Sequence, residues 1–228
     1  MITFVYAYYD NKKMLEKHVE EWLQYPVGIQ FIIVDDASPN SPARDILKHV
    51  DLPLELYRVE QNIPWNQNGA RNLAMMQCKS DWALMLDMDH FLPVKEATKA
   101  MAMRKHSGFY YVPRRVLPDG SSHKPHPNTF MLERQKFWEC GGYDEDFCGY
   151  YGSDKIFRLA LDTVAERVET ESFKTVLYEG VIKDANTREW GRKDSEYHSA
   201  NHKHLREKRK AAPYKAKDHI RFNWERVL

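Results

Sequence analysis

The sequence predicts an α/β fold: a mostly parallel central sheet flanked by helices, then a less regular second half and a basic, helical carboxy-terminal tail. Three observations lead there. Short apolar runs and amphipathic segments alternate four times in the first half of the chain, which implies βαβ units with right-handed crossovers. One run, IQFIIVDD, is short and apolar up to its end, as strands are when helices cover both faces of a sheet. That run and DWALMLD both end on aspartates, and ligands of such sheets bind beyond the carboxyl ends of the strands.

The elements follow in order. ITFVYAY (2–8) is rich in β-branched and aromatic residues and reads as the first strand. Residues 12–24 place Met14, Leu15, Val19, Trp22 and Leu23 on one helical face. IQFIIVDD (29–36) is the second strand, SPNSPARDILKHV (38–50) a turn with a short helix, and LPLELYRV (52–59) the third strand. NGARNLAMMQC (68–78) is a helix opened by Gly69, and DWALMLD (81–87) is the fourth strand. Beyond it, KEATKAMAMRK (95–105) is helical, GFYYVPR (108–114) strand-like and VLPDGSSHKPHPN (116–128) a turn-rich loop. Residues 129–166 run from strand to helix, through a loop of glycines and aromatics, to a further helix. From Arg192 to Lys217, nine Lys/Arg face three Asp/Glu. A single domain is expected over residues 1–228, divided at 1–93, 94–191 and a tail at 192–228.

Composition narrows the function. The 34 basic and 33 acidic residues nearly cancel, so the whole molecule is no polycation seeking nucleic acid or membrane. No apolar run reaches the 18 or so residues a membrane span needs, and the first residues lack the pattern of a signal peptide. Cys78, Cys140 and Cys148 are odd in number and have no CxxC spacing. They read as reduced thiols of an intracellular, cytoplasmic protein.

Asp87 and Asp89 stand one residue apart at the end of the fourth strand. A turn there lets both face one ion, and hard oxygen ligands suit Mg²⁺, Mn²⁺ or Ca²⁺. Asp35 and Asp36 end the second strand, where a carboxylate either accepts from a nucleobase N–H or ribose hydroxyl or caps a turn. Arg71, in the first turn of the helix after Gly69, suits an anion or is an ordinary surface arginine. GGYDEDFCGYYGSDK is a shaped loop, and Asp154 leads the helix behind it as a general base or as a complement to the helix dipole. His198, His202 and His204 do not make a zinc motif by spacing. One of them is expected to complete the aspartate metal shell, the others to be exposed. The nearby Lys203, Arg206, Lys208, Arg209 and Lys210 hold a diphosphate or form a solvated helix face.

In their order, VDDAS, NGARN, LDMDH and GGYDEDFCGYYGSDK resemble the motifs of inverting, family-2-like glycosyltransferases of the GT-A (Rossmann-like) fold, over roughly Ile2 to Leu161. The resemblance implies that Asp35 contacts the base, that Arg71 lies near the nucleotide, and that Asp87 and Asp89 hold the metal and ribose. Asp154 would be the acceptor-side base. Ala7, Tyr9, Asn68 and Met88 would flank the nucleotide sugar. Two departures stand out: Ser153 replaces the glutamate usual before the catalytic aspartate, and AYYD stands where many members carry P-x-x-N.

The expected activity is therefore Mn²⁺- or Mg²⁺-dependent, inverting transfer from a nucleotide-diphosphate sugar, a UDP-sugar first, to a hydroxyl of a glycan or similar acceptor. Nucleic acid is not an expected partner. The alternatives are an inactive sugar-nucleotide or glycan-binding module, and a sugar nucleotidyltransferase. The latter usually carries glycines after the first strand, and YAYYDNKK has none.

Overall fold

The computed structural model describes residues 1–148, 152–177, 195–211 and 218–228, with the backbone alone for 195–202. Four apolar runs become β1 (Ile2–Tyr8), β2 (Ile29–Asp35), β3 (Leu54–Val59) and β4 (Trp82–Leu86). They lie side by side in the order β3-β2-β1-β4, all parallel. The helices between them are α1 (Lys12–Trp22), α2 (Ala43–Leu47) and α3 (Gln67–Gln77). Asn11 caps α1 by accepting from the Met14 N–H at 3.4 Å, which stops the backbone donors of the first turn from being stranded.

Strand alternation sorts the side chains of β1 onto two cores. Phe4, Tyr6 and Tyr8 join Met14, Leu15 and Trp22 of α1 on one face. Val5 joins Ala70, Leu73 and Ala74 of α3 on the other. The sheet continues past β4 through β8 (Phe130–Glu133) and β6 (Phe109–Val116) to β9 (Glu166–Leu177) and β5 (His90–Phe91), with β7 (Ser122–His123) paired to β6. The pairings β4–β8 and β8–β6 are antiparallel, while β6–β9 is parallel. The remaining helices are α4 (Val94–Ala102), α5 (Arg134–Glu139), α6 (Ser153–Leu161) and α7 (Ser195–Lys210).

Two departures from the sequence reading are physical. The helix expected through Glu166 stops at Leu161, just before Thr163-Val164, whose β-branching disfavours helix. Residue 166 instead opens β9, donating its N–H to Gly108 O at 2.7 Å. The tail is also more than a helix. After α7 the chain returns as β10 (Trp224–Arg226), an antiparallel edge strand on β3. Among the described residues, no helix is long and apolar enough to cross a membrane.

Candidate active site

Beyond the end of β4 the chain turns sharply, with the His90 N–H donating to Asp87 O at 3.0 Å. This turn fans the two carboxylates toward different partners. Asp87 accepts from Nη2 of Arg71, which rises from α3, and lies 3.4 Å from Nε2 of His126. Arg71 is 2 % exposed. Burial opposes its charge, but Asp87 and, more weakly, Asp154 raise its pKa above the ordinary arginine value. Its guanidinium also lies over the Tyr143 ring, 5.3 Å from the centroid.

Asp89 accepts from Nδ1 of His90 at 2.5 Å. The Nε2 of His90 sits 3.3 Å from Nη1 of Arg115. Arginine stays protonated, so that Nε2 accepts and Nδ1 carries the proton given to Asp89. The His90 and His126 rings pack with centroids 4.1 Å apart. Asp89, His90 and His126 each offer one ligand atom, and these atoms lie within 4.8 Å of one another. Burial first, then the neighbouring His90 and the arginines, pushes the pKa of His126 well below the ordinary histidine value. A neutral imidazole is the form that ligates metal.

Asp154 stands in the first turn of α6, half-buried, 3.4 Å from Nη2 of Arg158. Its charge is among the smaller causes that raise the pKa of Arg71 and of Tyr143. The loop before it is tied down by Asn72, the neighbour of Arg71. Asn72 accepts the Tyr143 N–H at 2.9 Å and donates to Tyr143 O at 2.9 Å and to Glu145 at 2.8 Å. Glu145 also accepts the backbone N–H groups of Ile220 at 2.7 Å and Arg221 at 3.2 Å. Lys208 reaches from α7 to Asp144 and Asp146 at 2.9 and 2.6 Å. Two glycines let these segments close: a Cβ on Gly69 would strike the Phe222 ring, and one on Gly152, at φ 100°, would strike Leu205. A cavity of about 270 Å³ lies between the carboxy-terminal strap, residues 218–228, and this loop, walled by Ile63 and Phe222 with Asn66, Glu145, Asp146, Cys148 and Arg221.

Several of the expected contact residues have partners within the chain. Asp35 is 1 % exposed, and its oxygens accept from the N–H groups of Ser38 and Ala43 and from Arg58 at 2.8, 2.8 and 3.0 Å. It shapes the loop after β2. Its neighbour Asp36 accepts from Asn66 at 3.1 Å. The Met88 side chain is buried in the core. Asn68 donates to Asp144 O at 2.9 Å and so holds the acceptor-side loop. Tyr9 shares a hydrogen bond with Asn62 at the outer edge of the strand ends, and Ala7 is half-buried against the core. Among the described residues, the histidines gathered at Asp89 are His90 and His126, whereas His204 packs edge-on to Phe147 at 4.5 Å. The side chains of His198 and His202 lie outside the described part. Nothing in the spacing of HKPHPN singles out His126, because only the fold of β6, β7 and β8 brings it beside Asp87 and His90.

Residues 3–153, well over half of the chain, match the profile of the family described as Glycosyl transferase family 2. The chain belongs to that family. Asp154, α7 and β10 lie beyond the matched stretch of this family-2 member. S. aureus TarS is similar in structure, with TM-score 0.62 at 14 % identity over 79 % of this chain and 36 % of that one. Residues 1–349 of TarS in complex with UDP-GlcNAc give TM-score 0.62 at 15 % identity, over 79 % of this chain and 57 % of that one. GalNAc-T7 with UDP, GalNAc and Mn²⁺ gives TM-score 0.62 at 14 % identity, over 78 % and 43 %. The chain thus spans between about a third and three fifths of these proteins' lengths. No curated protein matches it by sequence.

Proposed function

We propose that the chain is a metal-dependent, inverting glycosyltransferase that moves a sugar from a nucleotide-diphosphate sugar, a UDP-sugar first, to a hydroxyl of a glycan or similar acceptor. One juxtaposition carries this reading: Asp89, His90 and His126 offer ligand atoms within 4.8 Å of one another, and His126 also lies 3.4 Å from Asp87, the partner of the buried Arg71. Similar structures in complex with UDP-GlcNAc, and with UDP, GalNAc and Mn²⁺, support the donor class and the ion.

The residues fit a divalent cation. Asp89 supplies a hard oxygen and His126 a neutral nitrogen, while His90 orients Asp89 by donating to it. Nitrogen beside oxygen favours Mn²⁺ over Mg²⁺. When bound, such an ion is a Lewis acid that offsets charge growing on the departing diphosphate. Arg71 fixes Asp87 and places a permanent positive charge at the same spot. Asp154 takes the proton of the acceptor hydroxyl as that oxygen bonds to the anomeric carbon. The bond to the diphosphate breaks on the opposite face, and the configuration inverts.

The test is release of nucleoside diphosphate from a panel of UDP-, GDP- and TDP-sugars with and without Mn²⁺. One donor class should be hydrolysed in a Mn²⁺-dependent way, and Asp89→Ala should lose that dependence. Complete inertness toward every donor would favour the binding-module alternative.

A further inference from the structure

His18 has no part in the chemistry above, yet it is fully buried in the middle of α1. A polar ring on an apolar helix face is unfavourable unless it is hydrogen-bonded. Its Nε2 lies 2.9 Å from the carbonyl oxygen of Met88, the residue between Asp87 and Asp89. A carbonyl only accepts, so Nε2 carries the proton and donates it. Nδ1 has no hydrogen-bond partner among the described residues. The ring is also held in plane. It stacks on Phe91 at 4.1 Å and 11°, leans on Trp22 at 5.2 Å and meets Tyr6 at 5.1 Å. Phe91 directly follows His90, so one imidazole touches the carboxylate turn at its middle and just past its end. Burial holds the ring neutral, with its pKa pushed down to about 4.

We infer that His18 is a positioning residue: from behind the turn, its Nε2–H fixes the Met88 peptide and with it the directions in which Asp87 and Asp89 present their carboxylates. The inference rests on the reading of Asp89 as the holder of the ion. Loss of the bond lets the 87–90 turn rotate about the Met88 peptide, which loosens the ligand geometry while leaving every ligand in place.

His18→Phe keeps the stacked ring and removes the donor, whereas His18→Gln restores an N–H near the position of Nε2. Calorimetry with Mn²⁺ alone should show affinity about tenfold weaker in His18→Phe. His18→Gln should return to within about threefold of the parent, with thermal midpoints of the two variants alike. Hydrogen exchange at the Asp89 and His90 amides should quicken in His18→Phe and slow again in His18→Gln. Parent-like Mn²⁺ affinity in His18→Phe overturns the inference, as does a His18→Gln no better than His18→Phe. A parent protein that takes up no Mn²⁺ sinks the metal reading instead. The exchange arm then decides alone, with unchanged turn amides in His18→Phe overturning the positioning role.

Discussion

Among the described residues, desolvation lowers the pKa of two imidazoles, His18 and His126, and that sets a pH window for stability. The pKa of His18 is pushed down to about 4, chiefly by burial, with Asp89 raising and His90 lowering it in smaller measure. His126 is lowered in the same sense. An unfolded histidine takes a proton near pH 6.5. Between there and the folded values the unfolded state binds more protons, so stability is fully present above about pH 6.5 and falls as the pH drops toward 4. For His18 alone the loss amounts to about 3 kcal/mol by pH 4. Urea denaturation at pH 7.5, 6 and 5 should show this decline, and His18→Phe should flatten it. A parent curve that is level across that window would mean the rings are not held neutral. Neither ring is legible in the sequence. His18 shares the helical face of Met14, Leu15 and Trp22, which shows burial and says nothing of the carbonyl it meets 70 residues away.

At the scale of elements, the carboxy-terminal strap is the feature local sequence could least reveal. The strand over residues 2–8 and the helix after Asn11 are legible because periodicity and capping are properties of neighbours. The strap is held by distant ones: Glu145 takes the Ile220 and Arg221 amides, His219 lies against Trp138 at 5.4 Å, and Phe222 fills the space over Gly69. Ile220 even adopts φ 61°, a strained conformation for a β-branched residue. β9 hid for a related reason. Its run ERVETESFKTVL is dotted with charges, and only Thr170, Phe173 and Thr175 are buried. Glu145→Gln should expose what the strap depends on. An amide has one accepting oxygen where the two oxygens of the carboxylate serve Asn72, Ile220 and Arg221, so at least one partly buried donor loses its acceptor. The loss should be about 2 kcal/mol, read as a lower thermal midpoint. Exchange of the Ile220 and Arg221 amides should quicken while those of β1 and β2 hold. Equal protection across all of them would mean the strap is anchored elsewhere, through Lys208 or β10.

For the molecule as a whole, one sheet runs through both halves, and the candidate site is assembled across their junction. Asp87 and Asp89 end the last parallel strand, whereas His126 and Asp154 come from the half that pairs antiparallel to it. Asp35, Arg71, Asp87, Asp89 and Asp154 were legible as motifs because each sits at a strand end or helix start. Their hydrogen-bond partners were not, since those of Asp35, like the partner of Asn68 nearby, are supplied only by the folded chain. This assembly predicts that binding and turnover separate. On the proposed reading donor and ion are held by groups other than Asp154, so Asp154→Asn should bind Mn²⁺ and nucleoside diphosphate as the parent does in calorimetry. Turnover with a competent acceptor should fall by about 10² to 10⁴-fold, the range a positioned base contributes. The product formed by the parent should carry the opposite anomeric configuration to the donor, readable from its anomeric proton coupling. Retained configuration would rule out single displacement with Asp154 as base. Parent-like turnover in Asp154→Asn, with inversion intact, would move the base to another residue facing the Arg71–Asp87 pair.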